Sequence, residues 1–444
     1  MSVAVIFETF QTASRGHVVP GLVARYLPPA RRRAAAVLAV LVAACGAAVP
    51  AVPSKGGPAW YELTSEHFTV WTDAPDQRAR ELVREMERLR QLIVGVAFPS
   101  APAGGRNFVV VLRDDGELAA FSPTGEPRPF AVSGAAPLWQ PIFVVSAQSN
   151  RDPGDHAVAH ELTHVISYAV VHHQPRWFAE GMAEFFETVD INPDSTTADI
   201  GAAPSYQGQP MLMAHLGSVP KLLTWRGMSE GERSEYSTAW ALFTFLINEH
   251  RAELARYMQL LDEPADEKAS PGEVAARQWR EAFPSVPLGE VTAALQQWLL
   301  SGHHRVVHVN IQLRAWPVTV RKLGDADVYA TRGLLRSLMA NQDTQRRADV
   351  DAALAAEPTN VLGWVLRWTS DDAKPTSDQG RAITAAHPED WRAWLLAAVA
   401  LQSAGGAAEE IESARTRGCE LAANNPALTV PRGLCGDLSA ARSP

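Results

Sequence analysis

The chain has little of three things. Its 444 residues include three cysteines, Cys45, Cys419 and Cys435, which do not resemble a zinc ligand set. Positive charge is in deficit, since 40 Lys and Arg against 49 Asp and Glu give a formal net charge of −9 and a pI near 5.8. With no basic stripe and no Gly-rich phosphate loop, that balance argues against nucleic acid as a partner. Long apolar runs are missing as well: Ala34 to Ala44 is eleven residues, short of the roughly 20 that cross a bilayer as a helix. What remains is 46% hydrophobic and 20% charged, the balance of a soluble globular chain. Its length exceeds what one core usually organises, so two or three domains are expected.

Against that background the pentapeptide His160-Glu161-Leu162-Thr163-His164 carries chemistry. Residues four apart share one face of an α-helix, so both imidazoles can converge on one cation, with Glu161 beside the water such an ion would activate. The flanks predict the helix. Asp152-Pro153 reads as an N-cap followed by proline at the first helical position. Val158, Leu162, Val165, Ile166 and Ala169 recur at three- and four-residue spacing as an apolar stripe, and Gln174-Pro175 ends the run. His172, His173, His215 and His250 fit no such pattern and are read as surface or isolated residues.

Catalytic zinc takes three protein ligands and keeps a fourth position open, so a third ligand is needed. The segment from Arg176 to Glu187 is apolar and aromatic-rich, with carboxylates four apart at Glu180 and Glu184. Carboxylates on such a helix are costly to bury unless paired or metal-bound. Glu180 is therefore the expected third ligand. Glu184, one turn on, is expected to accept the spare N–H of a zinc-bound histidine, His160 by preference, and so fix its ring.

Together, His160 to His164 and Trp177-Phe178-Ala179-Glu180-Gly181 resemble the gluzincin metallopeptidases, and most of all the peptidase-MA-like proteins of bacteria. In aminopeptidase-N-like members a Trp-Leu-Asn-Glu-Gly-Phe-Ala block carries the third zinc ligand, corresponding to Glu180. In thermolysin-like members an acidic residue four beyond that ligand braces a zinc histidine, corresponding to Glu184. Fifteen residues separate His164 from Glu180, fewer than in the aminopeptidases, so the connecting loop is shorter. No Gly-Ala-Met-Glu-Asn-like block for a substrate N-terminus is present, and the resemblance does not imply an aminopeptidase. It does imply one zinc ion, a zincin-type α+β catalytic domain, and hydrolysis of peptide or protein substrates with Glu161 as general base. It also implies a tyrosine that stabilises the oxyanion. Tyr236, 56 residues beyond Glu180 at the start of an apparent helix, corresponds to that tyrosine; a packed core aromatic is its other reading. A sheet edge beside the zinc helix pairs with substrate in this family, which implies strand addition of extended peptide at Ile142 to Val145. Hydrolysis of cell-wall amides, or a non-catalytic envelope scaffold working through C-terminal helices, are the alternatives.

Arg31 to Arg33 precede the apolar run in the order of a signal peptide, and Val42-Ala43-Ala44-Cys45 resembles a bacterial lipobox. That implies export to the cell envelope or periplasm, with membrane attachment only through lipid on Cys45. An ordinary cleaved signal and a retained anchor are the other readings. The thirty residues upstream exceed an ordinary n-region, which initiation nearer the arginines would explain. In an oxidising compartment Cys419 and Cys435 could pair; as reduced thiols they would be core residues.

The expected organisation is a signal segment over 1–45, a linker over 46–58, a peptidase-like α+β domain over 59–302, a connector over 303–322 and a helical domain over 323–444. Strands are expected at 67–72, 107–112 and 142–145, a helix at 76–94, a loop at 121–140 and helices between 211 and 300. Val306 to Val309 is β-like. Glu357-Pro358, His387-Pro388 and Asn425-Pro426 punctuate the C-terminal helices at intervals of 30 and 38 residues, close to the tetratricopeptide period. Stacked helix pairs of that kind would present a groove for a protein partner or hold substrate; a plain helical cap is the other reading.

Overall fold

The computed structural model describes residues 49–99, 105–132, 140–149, 157–171, 173–192, 196–203, 216–226, 233–261, 263, 269–302, 304–311, 314–424, 428 and 432–435. The expected signal segment and lipobox, Asp152-Pro153, His172, His215 and Asn425-Pro426 lie outside these residues.

Strands β1 (Tyr61–Thr64) and β2 (Phe68–Thr72) form a hairpin, and α1 (Asp76–Ala97) leads to β3 (Asn107–Leu112). Then come α2 (Asp115–Phe121), β4 (Phe130–Val132), β5 (Ile142–Ser146), α3 (Ala157–Val170) and α4 (Arg176–Glu187). A small antiparallel sheet is built from β6 (Asp190–Ile191), β7 (Thr197–Ile200) and, from much later in the chain, β8 (Val307–Asn310). Between them lie α5 (Val219–Leu222), α6 (Arg233–Glu249), α7 (Arg251–Leu261), α8 (Pro271–Ala282) and α9 (Val291–Leu300). After β9 (Thr319–Lys322) the chain is helical: α10 (Asp325–Ser337), α11 (Asp343–Ala356), α12 (Val361–Asp371), α13 (Ser377–Ala386), α14 (Trp391–Ser403), α15 (Ala408–Ala423) and α16 (Arg432–Cys435). The fold is α+β followed by a helical region, as expected, and no helix among the described residues is long and apolar enough to cross a membrane.

The main sheet runs β4-β5-β3-β2-β1-β9. Its centre, β2, β3 and β5, is parallel, while β4, β1 and β9 pair antiparallel. Successive side chains of a strand point to opposite faces, and here both faces are covered. On β3, Val109 and Val111 join one core with α1, α3 and α4. Phe108, Val110 and Leu112 join a second core with α10, α11, α12 and α14. Two buried faces explain why β3 and β5 read as unbroken apolar runs rather than as alternating ones.

Three expectations about organisation change. The stretch read as a loop over 121–140 holds β4, so β4 and not the strand at Ile142 forms that edge of the sheet. The segment read as a linker is fastened down: Val52 is buried in the second core, Arg332 donates to the Pro50 carbonyl, and Ser54 bonds Asp325. The connector contributes β9, whose register with β1 pairs Leu63 with Val320.

The turns at Pro358 and Pro388 are built alike. Trp364 Nε1 donates to the carbonyl of Pro358, and Trp394 Nε1 to that of Pro388, both at 2.8 Å. Side chains of Asn360 and Asp390 then cap α12 and α14, accepting from Gly363 N and Arg392 N. The same turn, cap and tryptophan thus recur 30 residues apart. At the far end a disulfide joins Cys419 of α15 to Cys435 of α16, with Cα atoms 5.5 Å apart.

Candidate metal centre

Helix α3 lies in the first core by its apolar stripe. Val158, Leu162, Val165 and Ile166 are each 2% exposed or less, which fixes the rotation of the helix and turns His160, Glu161 and His164 to the opposite side. Pro175 provides the extended residue from which α4 starts. On α4, Trp177, Phe178, Met182, Phe185 and Phe186 are buried apolar residues, and Glu180 and Glu184 are buried with them at 4% exposure.

The two helices bring three ligand atoms into a triangle. His160 Nε2 and His164 Nε2 are 3.2 Å apart, and each is 3.5 Å from Glu180 Oε2. Nitrogen and oxygen ligands about 2.1 Å from a shared tetrahedral ion stand about 3.4 Å from one another, so the residues present fit zinc in kind, number and spacing. The side chains of His160 and His164 are 16% and 20% exposed against 5% for Glu180. The triangle is closed on the glutamate side and reachable on the histidine side.

Electrostatics separate the members. Burial works against ionising Glu180, but the facing imidazoles of His164 and His160 outweigh it and hold its carboxyl well below the usual carboxylate range. Burial likewise opposes charge on His160, and hydrogen bonds to Glu180 and Glu187 reverse this, raising its imidazole well above the ordinary value. Glu161 is pushed up, chiefly by burial and further by Glu180, against the lowering effect of His160 and His164. Its Oε2 accepts from the backbone N–H of Ala131 on β4 at 2.9 Å.

A second carboxylate of α4 meets His160, whose Nδ1 is 3.0 Å from Glu187 Oε2. Glu184, the expected brace, lies with them, ligand atoms of all three being within 4.8 Å of one another. Residues at i+4 and i+7 from Glu180 share a helix face, so both carboxylates stand on the side of α4 that faces His160. Tyr236 of α6 is half-buried and is joined to the centre through Arg176: Arg176 Nη2 donates to Tyr236 Oη at 3.1 Å, and Arg176 Nε is 3.6 Å from Glu180 Oε1. Trp225 stacks beside them, 4.3 Å from the Arg176 guanidinium. Arg176, Glu187, Ala131 and Trp225 belong to no motif of the sequence. Arg176 and Glu187 lie at helical intervals of four before and seven after Glu180, which is the signal that could have found them. His173 is exposed, and His250 meets Glu253 at 3.4 Å, away from the triangle.

No curated protein and no solved structure matches the chain. The family described as a protein of unknown function (DUF1570) matches residues 156–266, a stretch that runs from the start of α3 beyond α7 and contains His160, Glu161, His164, Glu180, Glu187 and Tyr236.

Proposed function

We propose that the protein is a zinc-dependent peptidase of the gluzincin type, hydrolysing peptide bonds of protein substrates in the cell envelope. The observation that carries this reading is the triangle of His160, His164 and Glu180 with the carboxylate of Glu161 beside it. A zinc ion held by those three residues would lower the pKa of water and polarise a scissile carbonyl.

The chain's own groups supply the rest. Ala131 N–H holds Glu161 Oε2, leaving Oε1 to take a proton from the attacking water and return it to the leaving amine nitrogen. Glu187 holds the Nδ1 proton of His160, so Nε2 presents its lone pair towards the triangle. Tyr236, held by the bond it accepts from Arg176, is the phenol that would donate towards the oxyanion. The strand that an extended substrate would lengthen is β4, the edge beside Glu161. Export, with a lipid on Cys45, places this chemistry outside the cytoplasm.

The test is Glu161→Gln in the full chain, with zinc content measured by elemental analysis and cleavage of an unfolded protein substrate followed in parallel. The variant should retain one zinc per chain and lose at least about 100-fold in turnover, as expected for removal of a general base. Unchanged cleavage would remove Glu161 from its role, and wild-type protein that takes up no zinc would overturn the reading.

A further inference from the structure

Arg176 opens α4 one turn before Glu180, and its guanidinium meets Glu180, Tyr236 and Trp225. Nε lies 3.6 Å from Glu180 Oε1. Nη2 donates to Tyr236 Oη at 3.1 Å. The flat face stacks on Trp225 at 4.3 Å, and Trp225 in turn meets the Tyr236 ring edge-on at 5.1 Å. The Arg176 side chain is 12% exposed and that of Glu180 5%, so this is a largely enclosed ion pair. The two oxygens of Glu180 are therefore distinguished by their partners: Oε2 faces both imidazoles, and Oε1 faces the arginine.

We propose that Arg176 is a positioning residue that holds Glu180 as a one-oxygen metal ligand and ties Tyr236 to the same centre. A carboxylate can meet a cation with one oxygen or with both. With the guanidinium charge 3.6 Å from Oε1, that oxygen is drawn towards the arginine and Oε2 is the one offered to the triangle, which would leave the fourth position of a tetrahedral centre open. Arginine suits the task because its planar group can donate to the phenol from Nη2, keep Nε within ion-pair range of Oε1 and lie over an indole at the same time. Lysine offers one compact charge and no plane. By donating to the phenol oxygen, Arg176 also fixes where the Tyr236 hydroxyl sits relative to Glu180. This rests on reading the triangle as a metal centre and assigns the device that sets how its carboxylate binds.

The test uses the full-length apoprotein, titrated with Zn²⁺ against a chromophoric chelator and with Co²⁺ while the visible absorption is recorded. Arg176→Gln should weaken zinc binding by about 10- to 100-fold, the range found when a residue supporting a ligand is lost. Its cobalt absorption should fall in intensity as the carboxylate swings to two-oxygen binding. Arg176→Lys should recover part of the affinity through charge alone. Tyr236→Phe should keep the wild-type affinity and spectrum, because it leaves the contact to Oε1 in place. Wild-type protein binding one equivalent while Arg176→Gln binds as tightly with the same spectrum overturns the inference alone. Wild-type protein binding neither metal overturns the metal centre beneath it. Should Arg176→Gln fail to fold by circular dichroism, Arg176→Lys decides the matter, and wild-type affinity and spectrum in that variant overturn the proposal.

Discussion

Glu117 of α2 and Asp73, just past β2, are buried at 3% and 5% exposure, and their carboxyls interact with each other. Burial, and then the charge of Asp73, push the Glu117 carboxyl up to about 8. A carboxyl raised in the folded state binds its proton more tightly there than in the unfolded chain. Its contribution to stability is complete below the ordinary carboxyl value of 4.5 and is lost as pH rises through about 8. Every tenfold difference in proton affinity between the folded and unfolded chain corresponds to about 1.4 kcal/mol, so the pair should cost the protein a few kcal/mol as pH rises from about 5 to about 9. Urea midpoints measured across that window should fall for the wild type and stay nearly level for Glu117→Gln; parallel profiles would show that Glu117 does not carry the effect. The metal centre shows which residues can be read in advance. His160 and His164 are set by covalent spacing on one helix, and Glu180 by the cost of burying a lone carboxylate. Glu187 escapes such a reading because whether a carboxylate at i+7 reaches His160 depends on the angle at which α3 crosses α4.

Gly181, directly after the third ligand, shows what that crossing demands of an element. A Cβ built on it would stand 2.5 Å from the carbonyl oxygen of Ala239 and 3.0 Å from the Cβ of Phe243, both on α6. Helices α4 and α6 are in contact at backbone level here, and neither atom belongs to a flexible side-chain end. The close approach sets the distance between Glu180 on one helix and Tyr236 on the other. Gly181→Ala must part the helices, which overpacking data place at about 1–3 kcal/mol, although alanine is the better helix former. Chemical denaturation should show that loss; a variant as stable as the wild type would mean that the two helices separate without strain. Longer elements are legible because their periodicity runs over many residues, as in α1, α3 and β3. The short ones are not. Three residues of β4, Phe130-Ala131-Val132, and four of β9 carry too little pattern to be told from loop, and both are strands because a neighbour offers them an edge.

For the molecule as a whole, the boundary between an α+β unit and a helical unit is crossed by one core. Trp60, Trp71, Phe108, Val110, Leu112, Ile142 and Val144 turn from the sheet towards Leu323, Val328, Leu334, Leu335 and the helices beyond, and Val52 from the preceding segment joins them. The 30-residue spacing of Pro358 and Pro388 says nothing of where those turns and their helices pack, since pairing across hundreds of residues leaves no local pattern. Each large apolar side chain is worth about 1.5–3 kcal/mol when buried. Uncovering Trp60 and the six strand residues would remove roughly 10–20 kcal/mol, an upper figure because unfolded chains already bury some surface. A domain's net stability is about 5–15 kcal/mol. A protein cut to residues 59–302, the unit that the sequence suggests as the catalytic domain, would lose that cover and β9 together. It should give no cooperative unfolding transition and no tertiary near-ultraviolet circular dichroism, whereas the full chain gives both. A truncated protein that melts cooperatively at the wild-type temperature would show instead that the helical region is an appendage, free to act as a separate platform for partners.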